Sequence, residues 1–139
     1  MNTNIWKSIG AILAGFVVVI IITIATDEIL HRIGVFPPWG ASMVGFDGAL
    51  VLATIYRTMY GVAGSYITAR LAPDRPMGHA LVGGAIGLVL SIVGAAVTWN
   101  KGPAFGPHWY PVALVVLALP TAWVGGKLRM TQLNPGAAQ

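Results

Sequence analysis

The sequence predicts an all-α integral membrane protein: four transmembrane helices in an up-down bundle, both termini cytoplasmic. Three observations predict it. The 139 residues are 56% hydrophobic and only 9% charged, against roughly 25% charged residues in a soluble domain. Too few charges remain to coat a water-facing surface, so the bilayer is the solvent. The apolar residues fall into four runs, each near the about 20 residues that a spanning helix needs. The connections are short, which makes an up-down bundle the economical topology.

The four spans are expected at 8–30, 49–71, 79–99 and 109–128, forming one membrane domain over 1–139. The first contains an uncharged run from Ser8 to Thr26. Lys7 in front of it resembles a signal-peptide flank, but the run exceeds an h-region of about 7–15 residues. It is read as a true span. The second run, Ala49 to Ala69, is interrupted once, by Arg57. The third is Ala80 to Trp99. The fourth, Trp109 to Gly126, contains Pro120, which removes one backbone hydrogen bond and is expected to bend the helix. Pro73 and Pro76 break helix continuity in the turn between the second and third runs. From Thr131 onward a frayed tail is expected.

Loop lysines and arginines set the orientation. Lys7, Arg70, Arg75, Lys127 and Arg129 collect on one side, Arg32 and Lys101 on the other. The richer side is expected to be the cytoplasmic face of a bacterial-type inner (plasma) membrane. The two long loops, 34–48 and 100–108, then face outward. Their Pro, Gly and aromatic residues, among them Phe36, Trp39 and Phe105, are expected along the interface, where tryptophan is favoured. Trp99, Trp109 and Tyr110 extend that belt. Trp6 and Trp123 mark the inner one.

Small residues are ordered along the helices. On the third, Gly84, Gly87, Ser91 and Gly94 recur at steps of three and four, and Gly83 forms a G-x-x-x-G pair with Gly87. These five are the expected helix-packing positions, since small residues let backbones approach closely in lipid. Ala118, Ala122 and Gly126 repeat the pattern on the fourth helix. Ala53, Arg57, Gly61, Gly64 or Ser65, and Thr68 share a face of the second. Packing within one bundle is the simpler reading; an oligomer seam or pore is the other.

Arg57 is the most informative residue. It lies about seven residues, roughly 10 Å, inside the second span. A charge at that depth costs at least roughly 2.5–3.5 kcal/mol unless it snorkels or pairs. Its neighbours at four-residue spacing, Ala53 and Gly61, place it on the inward face. Antiparallel packing brings Asp27, Glu28 and His31 of the first helix near it. Arg57 is expected to pair with Asp27 or Glu28, with Tyr56 and Tyr60 as donors and His108 and Asp47 closing over the region. The expected cluster is therefore Asp27, Glu28, His31, Arg57, Tyr60 and His108. It reads either as an ion pair fixing helix register or as a polar site for a proton, a metal or an anionic ligand.

Glu28-x-x-His31 has the spacing used in carboxylate-bridged helical bundles, which need the motif twice. Here it occurs once, among four acids in the chain. Glu28, His31 and His108 would offer three ligands and an open position, as in catalytic zinc sites. That is the weaker reading, and no metal, cofactor or catalytic residue is assigned. The chain has no cysteine, which excludes disulfides, thiolate metal sites, a cysteine nucleophile and S-lipidation. P-loop, nucleophile-elbow, H-E-x-x-H and Rossmann patterns are absent. The +4 charge is scattered over eight basic and four acidic residues, so nucleic acid is not an expected partner.

The expected function is that of a small non-catalytic membrane protein, a self-associating bundle or an accessory subunit of a larger membrane complex. Its partners are the bilayer and further copies or subunits. A small oligomeric transporter or channel using Arg57, Asp27 and Glu28 is the alternative. A membrane enzyme or metal-binding protein using His31, His108 and an acid is the third.

Overall fold

The computed structural model describes residues 3–138. Among them there are four long helices and no strand: α1 (Thr3–Arg32), α2 (Asp47–Leu71), α3 (Pro76–Thr98) and α4 (Trp109–Leu133). Short 3-10 turns at Pro103–Phe105 and Pro135–Ala138 flank α4. Three segments are long and apolar enough to cross a membrane: Thr3–Arg32, Pro76–Thr98 and Pro103–Leu133. α2 is as long as α4 but more polar, and its position explains this. It touches all three other helices, whereas α1 packs on α2 and only lightly on α3. A helix covered by protein on several sides needs less lipid-compatible surface.

Close contacts fix the directions. Gly15 meets Gly64 while Thr26 meets Tyr60, so α1 and α2 run antiparallel. Gly61 meets Thr121 and Gly125 meets Ser65, so α2 and α4 run parallel. Gly84 meets Ala122 while Gly126 meets Ala80, so α3 and α4 run antiparallel. His79 Nε2 lies 2.8 Å from Ser8 Oγ, tying the starts of α1 and α3. The result is up-down-up-down. The start of α1 and the end of α4 share one end, and the two long loops share the other.

Burial is inverted relative to a water-soluble protein. The buried helix residues are mostly Ala11, Gly15, Ala53, Gly64, Thr68, Ala69, Ala80, Gly84, Thr121, Ala122, Gly125 and Gly126. The large aliphatic side chains point outward, including Leu13, Val17 and Ile21 on α1 and Val89, Val93 and Val97 on α3. Water would penalise such a perimeter; lipid favours it, with small residues inside. The structure is thus that of a membrane protein.

Three local features differ from the sequence reading. α4 continues to Leu133, three residues into the expected tail. Gln132 explains this: its Oε1 accepts a 2.7 Å hydrogen bond from the Tyr66 hydroxyl, pinning the last turn to α2. Phe36 does not lie along the interface but is buried against Ala53 and Tyr56, plugging the loop end of the bundle. The packing stripe on α3 divides. Gly84 meets Ala122 of α4, whereas a Cβ added at Gly83, Gly87 or Gly94 would meet nothing within 4 Å. Gly83, Gly87 and Ser91 instead line an open cleft.

Candidate functional site

The site is built from the last turns of α1 and the first turns of α2. Asp27 and Arg57 face each other there, with Arg57 Nη2 donating to Asp27 Oδ2 at 2.5 Å. Tyr56, one residue before Arg57, donates its hydroxyl to Asp27 Oδ1. One carboxylate thus receives two donors from one turn of α2. A part-buried charged pair is tolerable because each partner cancels the other and further donors satisfy the oxygens. Tyr110 of α4 stands beside the pair, its ring centroid 6.0 Å from Arg57 Cζ, at the outer limit of a cation–π contact.

Tyr60 sits one turn further along α2 but bonds elsewhere: its hydroxyl is 2.8 Å from Thr26 Oγ1. It reinforces the α1–α2 contact without touching Asp27. His31 lies one turn beyond Asp27, and its Nδ1 is 2.7 Å from the Asp27 carbonyl. A carbonyl only accepts, so Nδ1 carries the proton. The ring is stacked on Trp39 at 3.6 Å and tilted against Phe36. His31 therefore borders the pair and anchors the first loop over it.

The remaining candidates lie apart. Glu28 turns outward to Arg32 at 2.7 Å and accepts from Trp39 Nε1 at 3.3 Å. Both side chains of that pair are exposed, so its contribution is small. His108 donates through Nε2 to the Trp99 carbonyl at 2.8 Å and stacks on the Trp99 ring at 3.9 Å. Asp47 accepts from Trp109 Nε1 at 2.9 Å. Neither closes over Arg57. The trio Glu28, His31 and His108 does not converge, and among the described residues no group of three or more His, Asp or Glu side chains could hold a metal. The physical reason is helix phase: His31 shares the face of Asp27, Glu28 the neighbouring one, and stacking holds His108 against Trp99.

Two cavities meet at the pair. A pocket of about 190 Å³ lies on the loop side, roofed by Pro37, Trp39 and Phe105 and lined below by Asp27, Arg57 and Tyr110. Its roof is fixed, because the Met43 amide donates to the Pro103 carbonyl at 2.9 Å and joins the two loops. On the other side a cleft of about 470 Å³ runs between α1 and the other helices. Asp27 and Arg57 line this one too, and its far end is marked by Gly15, Thr68 and Ala80. Thr23, Thr58, Ser65, Ser91 and Thr121 also line it. Thr23 Oγ1 and Arg57 Nε are buried without a hydrogen-bond partner.

No protein family matches this chain, and no curated protein or solved structure is significantly similar to it.

Of the two tyrosines expected as donors, Tyr56 serves Asp27 and Tyr60 does not. Sequence reasoning missed one position that builds the site. Gly15 permits the close approach that brings α1 onto α2. Its signal was present as Ala11-x-x-x-Gly15, a small pair at four-residue spacing.

Proposed function

We propose that this chain is a non-catalytic, multi-pass protein of a bacterial-type inner (plasma) membrane that works by association. It has four spans, α2 being the fourth, and both termini are cytoplasmic. It acts as a self-associating bundle or as an accessory subunit of a larger membrane complex. The observation that carries this reading is the inverted burial. Its interior is mostly Ala, Gly and Thr, while aliphatic rows cover the outside: Leu13, Val17 and Ile21 on α1, and Val89, Val93 and Val97 on α3. The two long loops are folded onto the bundle end, so these rows are the broadest surface offered to another protein. The charges at membrane depth support the same reading, because Asp27 and Arg57 fasten α1 to α2.

Extraction in a mild detergent and measurement of native mass test the proposal. The expected species is larger than one 14.5 kDa chain, through further copies or a stoichiometric second subunit. Because the chain has no cysteine, a Val93→Cys variant should also cross-link to a neighbour within the membrane. A lone monomer that fails to cross-link would overturn the association reading.

A second reading is favoured by one observation: Asp27 and Arg57 line both cavities. The pair stands between the loop-side pocket and the cleft, where a transporter would place a gate. Solute or proton flux through reconstituted vesicles that rises in Asp27→Asn would support it. Flux equal to that of empty vesicles would reject it.

A further inference from the structure

We propose that the cleft between α1 and the α3–α4 pair is a lipid-binding site that holds one acyl chain of a membrane phospholipid, with the ester carbonyl at Arg57. The inference rests on the membrane-spanning reading above. The size of the cleft suits one chain. The cleft volume of about 470 Å³ falls within the roughly 300–1,000 Å³ of ordinary ligand pockets. From Asp27 to Gly15, both in its lining, α1 rises about 18 Å. That is slightly more than half of a hydrocarbon core about 30 Å thick, a length that one acyl chain can fill. A helix with side chains, about 10–12 Å across, would need roughly 1,400–2,000 Å³ over the same length. A single chain fits where a helix does not.

The lining agrees. Phe16, Val19 and Ile20 of α1 form one wall, and Leu114 and Leu117 of α4 another. Gly83 and Gly87 form a bare floor, where an added Cβ would meet nothing within 4 Å. The hydroxyl residues Thr23, Thr58, Ser65, Ser91 and Thr121 also line it, but the lining is mostly apolar, and a mostly apolar cleft is filled most favourably by hydrocarbon.

The polar end selects the other half of the molecule. Arg57 has five N–H donors, and its bond to Asp27 uses one nitrogen. The side chain keeps 32% of its surface exposed, so donors remain reachable. The Asp27–Arg57 pair is neutral as a whole, which favours a neutral acceptor over a second full anion. An ester carbonyl at the head of an acyl chain is that acceptor.

The test uses the full-length protein in nanodiscs of phosphatidylcholine, followed by native mass spectrometry in mild detergent to count retained lipids. The wild type should keep one phosphatidylcholine per chain. Gly87→Leu and Gly83→Leu, whose side chains enter empty space, should fold normally and lose it. Gly94→Leu, equally unobstructed on α3 but outside the cleft lining, should keep it. Ether-linked phosphatidylcholine, which lacks ester carbonyls, should be retained about tenfold less well. Equal retention by wild type and Gly87→Leu would overturn the site, and equal retention of ether and ester lipids would overturn the role of Arg57. Incorporation into nanodiscs with no lipid retained would reject this inference and leave the membrane reading standing. Failure to incorporate would reject both.

Discussion

Gly15 and Gly64 lie back to back where α1 crosses α2. A Cβ placed on Gly15 would stand 2.1 Å from Thr68 Oγ1 and 2.6 Å from the Gly64 carbonyl oxygen. The second contact is backbone and cannot swing away. This crossing lets α1, which has few other contacts, reach the α2 turn that bears Tyr56 and Arg57.

Gly15→Ala should therefore destabilise the bundle by about 1–3 kcal/mol, the usual cost of overpacking a tight contact. Gly87→Ala, in open space, should cost nothing or slightly stabilise α3 through better helix propensity. Unfolding in mixed micelles with increasing sodium dodecyl sulfate reads both. Equal stability of the two variants would count against the crossing.

Arg57→Met should destabilise by less than the about 3–5 kcal/mol of breaking a fully buried pair, because Arg57 is one-third exposed. Adding Asp27→Leu should restore much of the loss, since it removes the carboxylate left without its cation. Adding Glu28→Leu instead should restore nothing, because Glu28 belongs to Arg32. The same unfolding assay, run as a double-mutant cycle, measures the coupling.

The two tyrosines should separate. Tyr56→Phe removes a donor from an ionised carboxylate and should cost about 1.5–3 kcal/mol. Tyr60→Phe removes a neutral bond to Thr26 and should cost about 0.5–1.5 kcal/mol. A reversed order in the unfolding midpoints would contradict the assignment of Tyr56 to Asp27.

Orientation is open to direct labelling. Ser42→Cys, in the first long loop, should react with a membrane-impermeant maleimide in intact cells. Asp74→Cys, in the α2–α3 turn, should react only after the membrane is opened. The opposite pattern would invert the bundle.

Much of the fold was legible in the sequence because the bilayer imposes simple rules. Run length gave the helices, and the isolated charge of Arg57 demanded a partner that Asp27 supplies. What stayed illegible was angular. Glu28 adjoins Asp27 in the chain, but a turn of about 100° per residue sends it to the surface. His108 sits at a helix entrance, where stacking on Trp99 decides its direction, and no spacing rule reports that. The division of the α3 stripe was also hidden. Gly83 and Gly84 are adjacent and chemically identical, yet only Gly84 faces α4.

The span of 30 positions between Asp27 and Arg57 bears on how the chain enters the membrane. When α1 first emerges during synthesis, Asp27 has no Arg57 to meet. The partner arrives only with the first turns of α2. On the four-span reading proposed above, the α1–α2 hairpin is therefore the smallest piece in which the Asp27 charge is cancelled, and it should leave the insertion machinery as one unit. α3 and α4, with no such charge to cancel, can follow separately.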